Sequence, residues 1–141
     1  MSVTSKNEKK KEAIFLACTQ ELNSLEIVKY LVEQGAQVNN REIMFGEYPL
    51  HPASYYGNLE LVEYLISQKA EIKIPNIHQE TPLHLAANAG KKDIYDFLLF
   101  KGANPTYKDE YGQTAPEILQ EVLETKEKYK ELIAELMQEE E

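Results

Sequence analysis

Cysteine is nearly absent from these 141 residues: Cys18 stands alone. That excludes an internal disulfide and any zinc site built on paired cysteines. Long apolar runs are lacking too, and none approaches the roughly 20 residues that a membrane-spanning helix needs. Positive charge is scarce, with 15 Lys and Arg against 24 Asp and Glu, a net charge of −9 and an isoelectric point near 4.9. A binder of phosphate backbones needs a basic footprint, so nucleic acid is not an expected partner. Lys6, Lys9, Lys10 and Lys11 do gather near the N-terminus, but only the short apolar stretch Ala13 to Cys18 follows them. A secretory signal needs about 7–15 apolar residues and a small-residue cleavage site. The chain is therefore expected to act in the cytoplasm or another intracellular compartment, without a membrane.

The motifs of catalysis are missing as well. There is no glycine-rich phosphate loop, no G-x-S-x-G and no H-E-x-x-H. The histidines and carboxylates show no ligand spacing for a metal. Cys18 sits in a segment of small residues with no nearby base nominated, which predicts a buried, inert thiol. The expectation is no enzyme, no cofactor and no metal. What remains, with 43% hydrophobic and 28% charged residues, has the makeup of one globular domain.

Repetition is the strongest positive signal. Thr81-Pro82-Leu83-His84-Leu85-Ala86 is preceded 33 residues earlier by Tyr48-Pro49-Leu50-His51-Pro52-Ala53, and followed 33 later by the degraded Thr114-Ala115-Pro116-Glu117. Gly35-Ala36, Lys69-Ala70 and Gly102-Ala103 keep the same beat, as do Leu25 to Leu31, Leu59 to Leu65 and Asp93 to Leu99. Each unit reads as two short helices. Thr81 is suited to cap the first, Pro82 to occupy its first turn, and Gly90, matched by Gly57, to end it with φ > 0. Ile94, Phe97 and Leu98 give the second helix its apolar face. Such helices cannot bury themselves and must stack on neighbours.

On these residues the chain resembles the ankyrin-repeat family over about residues 13–120. The resemblance implies an all-α solenoid of helix–turn–helix units joined by β-turn or hairpin-like loops. The expected division is an N-terminal flank and capping repeat (1–40), two repeats (41–74 and 75–107), and a partial repeat with a helical cap (108–141). Ser5 and Glu8 are placed as a capping box for the first helix, which would carry Ile14, Phe15, Ala17 and Cys18. After Pro116 nothing breaks a helix, leaving one long helix or two, with Lys126 to Lys130 as the expected break or exposed segment. This cap is expected to cover the third repeat, with Glu139, Glu140 and Glu141 frayed.

The family architecture also implies a concave surface made by the loops and the outer side of each first helix. The positions at that phase are Met44, Phe45, Glu47, Tyr55 and Tyr56; then Ile77, His78, Glu80, Asn88 and Ala89; then Glu110, Tyr111 and Gln113, with Thr19 and Gln20 in the first unit. Aromatic and apolar residues there suit an interface core, and Glu42, Glu47, Glu80 and Glu110 would rim it for a partner with basic residues. His51 and His84 are read instead as structural rings bonded to nearby backbone. The reading is a monomeric, noncatalytic protein-binding module; the alternative is self-association through the amphipathic C-terminal stretch. Departures from the repeat pattern (Tyr48 for the capping Thr, Pro52 in the first turn, Lys69 and Gln79 where Gly would turn the chain) predict a less regular middle unit.

Overall fold

The computed structural model describes residues 3–20 and 24–139. Its elements are α1 (Val3–Cys18), α2 (Ser24–Glu33), α3 (Leu50–Tyr56), α4 (Leu59–Ser67), α5 (Pro82–Asn88), α6 (Lys92–Phe100) and α7 (Ala115–Glu139). Among the described residues there is no strand, and the one bridge joins Lys108 to Thr114. The helices form hairpins α1–α2, α3–α4 and α5–α6. First helices stack in the order α1, α3, α5, α7, and second helices in the order α2, α4, α6. Leu50, Leu61, Leu65, Leu83, Ile94 and Leu98 are fully buried between them, and Ala53, Ala86 and Ala87 let the first helices approach. Cys18 is buried, and the loss of water pushes its thiol up to about 12, as befits an inert core residue.

Each second helix closes in the same way. Ala36, Ala70 and Ala103 donate their backbone N–H to Leu31, Leu65 and Leu98, and the residue before each alanine is left-handed, with φ of 93° at Gly35, 68° at Lys69 and 100° at Gly102. Gln79 is left-handed as well, at φ 60°. Lys69 therefore carries a side chain in a conformation that costs about 1–2 kcal/mol. Lys69→Gly is expected to raise stability by about 1 kcal/mol after the entropy of glycine is subtracted, while Lys69→Ala gives no such gain. Urea midpoints of the three proteins check this.

Several expectations need correction. Gly57 does not turn with positive φ; it is extended at φ −78°, ψ −168°. It is glycine for lack of room, since a Cβ would lie 2.5 Å from the Ala53 carbonyl oxygen. Gly90 does take φ +66°. Ser5 lies inside α1, so it does not start the helix as part of a capping box. The C-terminal stretch is one helix with no break at Lys126 to Lys130. Only its first turns cover the third repeat, through Ala115, Ile118, Leu119 and the half-buried Val122. Glu139 is helical; Glu140 and Glu141 lie outside the described residues.

Candidate functional site

The loops that lead into α3, α5 and α7 are built alike. Glu42 donates its backbone N–H to Glu47, Asn76 to Glu80, and Asp109 to Gln113. A second set of bonds ties each loop to the next: Ile77 N–H to the Phe45 carbonyl and Glu110 N–H to the His78 carbonyl, both at 3.0 Å. The first loop holds one residue more, and the Glu42 carboxylate steadies it by accepting from the N–H groups of Met44, Phe45 and Glu47. These ladders fix the row of loop tips beside the first helices.

Between the tips and the helices runs an open trough. Its middle is a cleft of about 360 Å³ lined by Phe15 and Thr19 of the first unit, Phe45, Glu47, Pro52, Tyr55 and Tyr56 of the second, and His78 and Leu85 of the third. Tyr55 and Tyr56 meet edge to face at 4.7 Å and remain 38% and 43% exposed, so neither ring is spent on the core. Phe15 also lines a cleft of about 380 Å³ with Leu16, Ile43 and Met44. At the other end His78 shares a smaller hollow with Glu80, Asp109, Glu110 and Tyr111.

Phe45, Glu47, Tyr55, Tyr56 and His78 are thus brought together, with Met44, Glu80 and Tyr111 in the flanking hollows. Ile77, Asn88 and Gln113 line none of the three. Ile77 is half exposed and joins the loops through its backbone. Asn88 Nδ2 donates to Glu80 Oε2, and the Gln113 backbone is taken up by Asp109 and His84. Phe15, which the sequence places on the first helix without a role in binding, is half-buried at the centre of the trough, and Leu16 and Ile43 stand exposed beside it.

Acidic side chains run along the trough. Burial raises the Glu47 carboxyl above the ordinary carboxylate range; the Asn76 amide opposes that, and Glu42 and Glu80 add to it by repulsion. Asn76 Nδ2 bridges Glu47 and Glu80 at 3.3 and 3.2 Å. His78 Nδ1 lies 3.1 Å from Glu110 Oε1, with both side chains more than a third exposed. The neighbouring Glu110 raises the Tyr111 phenol.

The loop ladder, the stacked hairpins and the concave trough define a helical repeat protein with a recognition face. A family model described as ankyrin repeats in three copies matches residues 14–109. The chain belongs to the ankyrin-repeat family, whose members serve as protein–protein interaction modules and are generally noncatalytic. It is 30% identical over 90 residues to the E3 ubiquitin-protein ligase KEG of Arabidopsis thaliana, a match covering 64% of this chain and 6% of that protein. It is 29% identical over 105 residues to ankyrin repeat domain-containing protein 37 of Bos taurus, covering 74% and 65%. It is 33% identical over 85 residues to I-Kappa-B like protein G2 of Microplitis demolitor bracovirus, covering 60% and 51%. The matches span less than two thirds of each of these relatives. Among the described residues no helix is long and apolar enough to cross a membrane.

Proposed function

We propose that the trough grips an extended, basic segment of a protein partner, seating an apolar side chain among Phe15, Phe45, Tyr55 and Tyr56 and a lysine or arginine beside Glu47, Glu80 and Glu110. The observation that carries this reading is the uncovered Tyr55–Tyr56 pair at the centre of a cleft whose remaining lining is largely apolar. Aromatic side chains in such a pocket supply much of an interface's affinity, and the acidic flank adds steering and rejects acidic competitors. The repeats supply a rigid platform, so little ordering entropy is lost on binding. On this reading the protein acts inside the cell, with no cofactor, and its units divide at 1–40, 41–74, 75–107 and 108–141.

Displayed peptide libraries selected on the protein test the reading. The recovered sequences are expected to pair an aromatic or aliphatic residue with lysine or arginine. Tyr55→Ala and Tyr56→Ala are each expected to weaken a recovered peptide at least tenfold, about 1.4 kcal/mol, and added salt to weaken it further. Peptides without basic residues, or binding indifferent to both tyrosines, would overturn it.

A further inference from the structure

Beyond its first turns α7 leaves the body. Lys126 is the last residue that reaches back, its Nζ lying where a Cβ on Gly90 would come within 2.3 Å. Every residue from Leu123 to Glu139 is exposed. At 1.5 Å per residue, residues 127–139 extend about 20 Å past this contact. The buried face of Ala115, Ile118 and Val122 continues at heptad spacing through Thr125, Tyr129, Leu132 and Leu136. Tyr129, Leu132 and Leu136 are more than half exposed, and Ile133 lies beside them. A helix needs no such stripe to stand in water; the stripe calls for a cover.

The charges say what fits. Lys126, Lys128 and Lys130 stand in the proximal half of the projecting segment among Glu124 and Glu127, whereas Glu131, Glu135 and Glu139 occupy the distal half without a lysine. Lys130 pairs with Glu127 at 3.6 Å, but among the described residues neither Lys128 nor Glu135 makes an ion pair within its own chain. We propose that α7 pairs antiparallel with α7 of a second copy. In the register that sets Tyr129 against Leu132 of the second copy, and Thr125 against Leu136, each Lys128 faces a Glu135 across the seam. The two acidic bodies then lie at opposite ends of the pair. A parallel pair would set Lys128 against Ile133 and crowd the two acidic bodies at one end. This dimer stands apart from the trough, and the same measurement decides between it and the monomer expected from sequence.

Sedimentation of the full chain from about 10 to 500 μM, at low and high salt, tests the pairing. The expected result is a monomer–dimer equilibrium whose dissociation constant rises at least tenfold in Leu132→Glu. Lys128→Glu should weaken the dimer at low salt, and Lys128→Glu with Glu135→Lys should restore it, because the swap rebuilds both pairs only in this register. The substituted positions are exposed, and circular dichroism with an unchanged thermal midpoint, at a concentration where every protein is monomeric, confirms folding. A monomer at every concentration would assign the stripe to a different partner and overturn the proposal. So would a dimer indifferent to Leu132→Glu, or a double variant that stays weak. Tyr55→Ala and Tyr56→Ala leave the dimer unchanged, which separates its failure from failure of the trough.

Discussion

Lowering the pH from 7 to 4 is expected to remove about 3 kcal/mol of folding stability through His51 alone. This ring is fully buried in α3, and burial depresses it from 6.5 to about 4, although the backbone at Ile74 and Glu80 partly favours its protonation. The Tyr48 N–H donates to Nδ1 at 3.0 Å, so the ring proton sits on Nε2. Charging would put a second proton on Nδ1 and break its bond with the Tyr48 N–H, while at Nε2 no hydrogen bond of good geometry steadies the cation. Below pH 6.5 the unfolded chain takes up a proton that the folded chain refuses. Stability therefore falls with pH through that window, and the loss is complete once the folded ring also titrates near 4.

Urea unfolding at pH 7, 6, 5 and 4.5 checks this against His51→Gln, which cannot charge. The gap between wild type and variant should shift by most of that 3 kcal/mol in the variant's favour. Glu47 works the other way, since its raised folded value makes stability rise as pH falls through it. Glu47 is present in both proteins, so its contribution cancels in the difference. A gap that stays constant from pH 7 to 4.5 would mean that His51 gains a proton as readily in the fold as outside it.

The repeat was legible because its signals are local. Thr81-Pro82, the alanines after each turn and the 33-residue phase are fixed by caps and backbone, and the same phase puts Lys69 and Gln79 at the turning positions that glycine would take, where both are left-handed. Gly57 was misread for the complementary reason. Its need is for space beside the Ala53 carbonyl, a contact between turns that composition does not display. Phase likewise placed Tyr55 and Tyr56 on the concave side but could not separate Phe15 from its buried neighbours Ile14, Ala17 and Cys18. Which of four adjacent residues faces a groove depends on how α1 is turned against α3. In α7 the apolar stripe was visible, yet where the body stops beneath it is a matter of the third unit's size.

Removing His84 is expected to cost about 3 kcal/mol at neutral pH, well beyond the loss of a cap. Its ring does for the third unit what His51 only half does for the second. Nδ1 accepts from the Thr81 N–H at 3.3 Å and lies 2.9 Å from the Thr81 hydroxyl, while Nε2 donates to the Gln113 carbonyl at 3.1 Å. Thr81 in turn accepts from the His84 N–H, closing a capping box at the start of α5. The ring thereby joins the helix start of one unit to the loop that delivers α7 of the next. His84→Ala leaves the buried Thr81 N–H unpaired, takes from the Gln113 carbonyl one of its two donors (the Asp109 N–H remains) and opens a void, costs that add. Thr81→Ala removes the side-chain cap but keeps the ring in place, so about 1 kcal/mol is expected there. Hydrogen exchange should quicken in His84→Ala at both residues 84–89 and residues 113–119, and in Thr81→Ala only at the first. Should His84→Ala lose no more than Thr81→Ala, the ring would be a local cap and the stacking of α7 on α5 would rest on Ala115, Ile118 and Leu119 alone.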